Sequence, residues 1–356
     1  MFEPSRIRGR SLVSNTVSPP LLTHSALPHR AARPDFDIDT LKLLHFYTTT
    51  TSLTLYTLPQ RQRIWSFVVP QIAFSHQFLL HGLLAIAALQ FARLQPALKN
   101  NLLAEAASHH QNALALFRSV LLNITAQNCD ACFAFSSFLV IYAWASSDGA
   151  GDLFFTNTSR LEQDGGTVEW VQLLRGAKEL LKTFWNDMEK GPLQTLLKLW
   201  DGADEPPAQV SPKDDGRFLD LMRLWDSPHT HLSAEEVEAL DEALTLLRQV
   251  YGLMPYFETK ICAISATFSW PVQVPEAYIE MVKRRQPEAL VLLAHYCLLL
   301  NTVNNFWWIH GMSRHLLENI HRNLGTDWES WIAWPLQDLV LSEFKRPLVL
   351  TEYLVH

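Results

Sequence analysis

The stretch TVEWVQLLRGAKELLKTFWNDMEK, residues 167–190, decides the fold class. Trp170, Leu173, Leu174, Ala177, Leu181, Phe184 and Trp185 recur at steps of three and four, which puts them on one stripe of an α-helix. Thr167 is placed to cap its start. The same helical spacing runs outward in both directions, and strand-like alternation is hard to find. The expectation is an all-α fold: one large helical domain of about a dozen helices over residues 35–345.

Upstream, the spacing predicts a short helix capped by Asp39 and carrying Leu41, Leu44 and Tyr47. The Thr run at 48–51 should weaken it, because β-branched side chains lose rotamer freedom in a helix. Pro59 opens a helix that Pro70 ends, and Ser75 caps the next, whose Gly82, Ala85, Ala87 and Ala88 permit close packing. Pro96 suits the first turn of a helix over 96–122, with Leu103, Ala107, Leu114 and Phe117 near helical spacing. Another buried helix covers 130–146. Downstream, Ser233 and Glu236 form a capping box for 234–250. Pro271 and Pro275 mark a break, and helices follow over 287–300, 304–323 and 327–334.

Between these lie three segments read as unstructured or mobile. Residues 1–34 form a tail, 148–166 a loop with four Gly, and 201–216 an acidic Pro/Gly loop. Residues 346–356 form a C-terminal segment. The apolar runs 78–89, 133–145 and 289–300 are about a dozen residues each, short of the roughly 20 a spanning helix needs, so they read as core helices and no transmembrane segment is expected.

Of the 356 residues, 48% are hydrophobic and 18% charged, enough apolar surface for a large core. Twelve Trp suit a large core, an interface or a ligand pocket. The net charge of −7 and the few basic residues, chiefly Arg6, Arg8, Arg10, Arg30 and Arg33, argue against direct DNA binding, which needs clustered positive charge. The four cysteines, Cys129, Cys132, Cys262 and Cys297, do not describe a disulfide framework. Nor can they supply the six thiolates of a binuclear zinc cluster. Cys129 and Cys132 read as core cysteines, and no metal site is expected.

Catalytic signatures are missing. There is no nucleophile-elbow Ser, no HExxH pair and no glycine-rich phosphate loop. His109 and His110 adjoin each other and so face different ways, and His76 and His81 are poorly spaced for one metal. Terpenoid-processing chemistry needs clustered acids for Mg²⁺ and diphosphate; Asp214 and Asp215 are adjacent but stand in the Pro/Gly loop without the wider pattern. The chain therefore reads as a non-enzyme. The competing reading is a lipid- or terpenoid-binding helical protein, or a terpenoid-processing one, unconnected with transcription.

Five blocks in order carry a resemblance: DFDIDTLKLLHFYTTTTSLTL (35–55), SHQFLLHGLLAIAALQFARL (75–94), EWVQLLRGAKELL (169–181), QPEALVLLAHYCLLLN (286–301) and WWIHGMSRHLLENIHRNLGTDWESWIAWP (307–335). Together they resemble the C-terminal regulatory domain of fungal zinc-cluster transcription factors of the sterol uptake control type. The resemblance implies an all-α domain that binds a sterol-like lipid, regulates transcription of sterol or secondary-metabolite genes, dimerises and enters the nucleus. It implies no cofactor beyond that hydrophobic small molecule. Partners would be a second copy or, since the cysteine cluster of such regulators is not among these residues, a full-length regulator. A lipid pocket is expected between helix 75–94, through Leu80, Leu83, Leu84 and Ala87, and the helices of 286–334. From the latter side it would take Tyr296, Asn301, Trp307, Trp308 and Met312, with Asn304 and His310 nearby.

Overall fold

The computed structural model describes residues 38–146, 169–198, 210–226 and 231–343. The tail 1–34, the loop 148–166, Thr167, most of the 201–216 loop and the segment 346–356 lie outside these. Among the described residues the structure is helical throughout and holds no strand, only an isolated bridge between Phe257 and Ile261.

The first half begins with α1 (Ile38–Thr49), which buries Leu43 and Tyr47. Asp39 lies inside its first turn, paired with Lys42 in solvent, and does not cap it; Leu41 is exposed, so the buried face is rotated from the one expected. The Thr run does end the helix. The hydroxyls of Thr48 and Thr49 both bond the His45 carbonyl, competing with the backbone ladder.

Pro70 does not stop the next helix. α2 (Pro59–Arg63) passes through a π-helical turn, Ile64–Val68, into α3 (Val69–Ala73). The wider turn bonds the Val69 N–H to the Ile64 carbonyl, so Pro70 falls near the start of a fresh α-helical register, where its missing N–H costs little. α4 (Gln77–Leu94) then starts from an extended His76 with no side-chain cap, so Ser75 is not its cap. Pro96–Leu98 makes a 3₁₀ turn into α5 (Lys99–Leu121), which buries Leu102, Ala106, Ala113 and Phe117, mostly one residue off the expected face. α6 is Cys129–Ser146.

α4 is the centre of this half, packed on α1, α3, α5 and α6. At Gly82 the packing is tightest, since a Cβ there would meet Phe135 Cδ2 of α6 at 2.7 Å. α4 and α6 are long and apolar enough to cross a membrane by composition, but 72% and 67% of them is buried inside this fold. They are core helices, each 18 residues long and so longer than its apolar run of about a dozen.

α7 (Glu169–Met188) bridges the halves. It packs along α6 and reaches the far side through Arg175, which bonds Glu276 and, at 2.6 Å, the Val274 carbonyl. Its backbone leaves helical geometry at Phe184, and it buries Leu180 and Met188 while Trp185 points to solvent. After the short α8 (Gln194–Leu197), α9 (Pro212–Leu221) replaces the end of the expected loop. Ser211 caps α9, Pro212 suits its first turn, and Asp214 and Asp215 favour its positive end. Asp215 also binds Arg248 at 2.5 Å and Asp214 binds Arg217 at 3.2 Å, so both acids are engaged within the fold.

The second half holds α10 (Ala234–Leu253), α11 (Ala263–Gln273), α12 (Glu276–Lys283), α13 (Pro287–Thr302), α14 (Met312–Leu324) and α15 (Ala333–Glu343). The capping box of Ser233 and Glu236 is present. Pro271 is buried inside α11; the break falls after Gln273. α13 packs on α10, α14 and α15.

Candidate functional site

The helix expected over 304–323 does not start until Met312. Residues 303–311 form consecutive turns instead, and Asn304 builds them. Its Oδ1 accepts from the Gly311 N–H at 2.7 Å, and its carbonyl accepts from His310 Nδ1 at 3.1 Å. Gly311 closes the turn at φ +82°, a left-handed conformation that favours glycine.

This turn carries Trp307 and Trp308 across to the first half. Trp307 Nε1 donates to Thr54 Oγ1 at 3.1 Å, and Gln90 of α4 donates to the same oxygen at 3.1 Å. The Arg93 guanidinium donates to the Trp307 carbonyl and lies 5.7 Å from its ring centroid.

A cleft of about 500 Å³ opens beside this junction, within the size range of small-molecule sites. Trp144 of α6 and Trp308 form its aromatic wall, both packed on Phe268, with ring centroids 5.3 and 5.7 Å away. Leu89, Ala92, Leu103 and Met312 supply aliphatic surface. Arg93, Lys99, Tyr142, His310 and His315 supply polar groups, and among the described residues no carboxylate lines the cleft. His110 stacks on Tyr142 at 3.6 Å; burial drives its pKa down to about 4 and raises that of Tyr142, so both stay neutral near pH 7.

The nine expected pocket residues are spread over several parts of the fold. Only Trp308 and Met312 line the cleft. Leu80, Leu83, Leu84 and Ala87 are buried in the core around α4. Tyr296 is stacked on Trp270 at 4.7 Å in the interior of the second half. Asn301 accepts from Ser313 at 3.3 Å and ties α13 to α14. Trp307 is the tether to Thr54. The reason is geometric. α4 meets the C-terminal part through its last turn, while its apolar middle is consumed by α1, α3, α5 and α6.

Arg93, Lys99, Tyr142 and Trp144 were not foreseen. One signal was present: Arg93 is the single Arg, Lys, Asp or Glu of α4. The histidines also combine unexpectedly. His109 faces His81, with the two Nδ1 atoms 2.8 Å apart, so one donates and the other accepts. The four cysteines are buried free thiols, and burial pushes Cys132 up to about 12, far from any thiolate chemistry.

Residues 42–200, spanning α1 to α8, match the fungal specific transcription factor domain. A Zn(2)-C6 fungal-type transcription factor of Gibberella zeae is 25% identical over 327 residues, covering 86% of this chain and 63% of that protein. Sterol uptake control protein 2 of Candida albicans is 22% identical over 328 residues, 88% of this chain and 43% of its own length. Sterol uptake control protein 2 of Saccharomyces cerevisiae is 25% identical over 304 residues, 80% of this chain and 30% of its own. The chain thus spans less than two thirds of each of these relatives.

Proposed function

We propose that this chain, which carries a fungal specific transcription factor domain, is the ligand-responsive part of a transcription regulator and has no catalytic activity of its own. The observation that carries the reading is the cleft beside Trp308. It is walled by aromatic and aliphatic side chains, and it sits where the 303–311 turn joins the two halves of the fold. A guest there touches α4, α5 and α6 on one side and the start of α14 on the other, so it can favour one arrangement of the halves over another. A hydrophobic small molecule of sterol size that buries a few hundred Å² gains several kcal/mol, at about 25 cal/mol per Å², before entropy losses.

The names of two relatives, sterol uptake control proteins, support a sterol-like lipid as the first class to try. Action in the nucleus, with a second copy or a full-length regulator as partner, belongs to the same proposal. The test is to express the tagged chain in a fungal host, extract the purified protein with organic solvent and identify what co-purifies by mass spectrometry. A stoichiometric lipid on a chain that reaches the nucleus supports the reading. Persistent exclusion from the nucleus under all conditions, with a bound lipid, moves it to a lipid carrier unconnected with transcription.

A further inference from the structure

The cleft is lined by Arg93 and Lys99 and, among the described residues, by no Asp or Glu. That asymmetry is unusual for this chain, which holds 36 acidic against 29 basic residues. Three other partly buried cations meet carboxylates, Arg248 with Asp215, Arg217 with Asp214 and Arg175 with Glu276, whereas Arg61 and Lys178 donate to the carbonyls of Lys198 and Val272. Arg93 and Lys99 have no carboxylate partner among the described residues, and the one acceptor that holds Arg93 is the neutral Trp307 carbonyl. The two residues bracket the corner between α4 and α5. α5 begins at Lys99 with neither a side-chain cap nor an acidic residue in its first turn, so its own sequence leaves the positive helix end uncompensated.

The rest of the lining leans the same way. Trp308 is 4% exposed, and its Nε1 donor has no acceptor. Tyr142 keeps its hydroxyl proton. His310 uses Nδ1 on the Asn304 carbonyl, and His315 lies 4.0 Å from Glu318, so that histidine alone has an acid at hand. The cleft therefore offers donors and positive charge together with aromatic and aliphatic surface.

We propose that this cleft selects an amphipathic anion, whose apolar body lies against Trp144 and Trp308 and whose carboxylate is held by Arg93 and Lys99. A neutral sterol hydroxyl needs a donor and an acceptor and leaves two cations uncompensated, whereas a carboxylate accepts from both. The inference rests on the ligand-responsive reading and narrows its ligand from a greasy molecule to a greasy acid, either a fatty acid or an acid-bearing sterol.

The test uses matched pairs on the full chain: oleic acid against oleyl alcohol, and cholesteryl hemisuccinate against cholesterol, titrated by calorimetry at low salt. The acid of one pair should bind at least about tenfold tighter than its neutral partner, and the pair that does so identifies the body. Raising NaCl to about 0.5 M should narrow that gap, because the charge lies near solvent. Lys99→Gln, at an exposed position, should weaken the acid about five- to tenfold and leave the alcohol unchanged. Arg93→Gln should do the same, but it also removes the tie to Trp307, so the lysine variant is the cleaner probe. Equal or tighter binding of the neutral members, or an acid that ignores both substitutions, overturns the anion assignment and leaves the sensor reading standing. Binding by none of the four overturns both.

Discussion

Trp307 Nε1 and Thr54 Oγ1, 253 residues apart in the chain, are hydrogen-bonded at 3.1 Å. The same hydroxyl donates to the Thr51 carbonyl at 2.7 Å and accepts from Gln90, so one oxygen joins the 51–54 turn, α4 and the turn before α14. Thr54→Val keeps the shape and strips the hydroxyl, leaving two donors short of an acceptor. Unfolding in urea should show a loss of about 1–3 kcal/mol. In a double-mutant cycle with Trp307→Phe the coupling should be about 0.5–1.5 kcal/mol. A coupling near zero would mean that the tether carries no load.

The turn itself is tested at Asn304 and Gly311. Asn304→Ala removes the acceptor for the Gly311 N–H, and Gly311→Ala places a side chain at φ +82°. Each should cost about 1–2 kcal/mol in thermal unfolding, the first from a lost, partly buried bond and the second from backbone strain. Because the turn presents Trp308 to the cleft, each should also weaken ligand binding in calorimetry.

Much of this was readable in the residues, and the failures share one cause. The capping box at Ser233, the core placement of the cysteines and the helical periodicity are local properties, and local rules found them. Pro70, Pro271 and the 303–311 turn went against local expectation. A π-turn rescues Pro70, the helix containing Pro271 runs two residues past it, and Asn304 closes a turn by reaching seven residues ahead. The spread of the expected pocket residues has a related reason. An apolar helix face such as Leu80, Leu83 and Leu84 looks the same in sequence whether it lines a cavity or fills a core. Which it does depends on how many neighbours surround α4. The single cation of that helix, Arg93, was the better guide.

Gly82 offers a sharp check on the packing of α4 against α6. Gly82→Ala puts a methyl group 2.7 Å from the Phe135 ring, a buried group that must shift. The helix propensity of Ala returns about 1 kcal/mol, while overpacking costs about 1–3 kcal/mol, so a net loss is expected in urea melts. A stabilised variant would mean that the two helices have room to spare.

Acid should destabilise the fold through buried histidines. Burial lowers His295 from 6.5 to about 4, with the Val291 carbonyl opposing and the nearby Arg217 assisting. His110 is likewise lowered to about 4 by burial. A histidine with a depressed folded pKa binds its proton more readily when unfolded. Its stabilising effect is therefore complete above about pH 6.5 and is lost as pH falls toward 4. For His295 the loss is of order 3 kcal/mol across that window, from 1.36 kcal/mol per unit. The melting temperature should drop steadily from pH 7 to pH 4, and His295→Gln should flatten the slope. An unchanged slope in that variant would remove His295 from the account.

The central claim is that the cleft beside Trp308 takes the ligand, and filling it is the most direct test. Ala145 of α6 is half-buried in its lining, so Ala145→Trp places an indole where the guest would lie. Thermal shift against a panel of fatty acids, sterols and sterol acids should raise the melting temperature of the unaltered chain by several degrees for at least one lipid, as expected for a ligand at about 100 times its Kd. The filled variant should melt normally without lipid and fail to respond to it. A panel that moves neither protein, or a lipid that stabilises both equally, would contradict the assignment of this cleft.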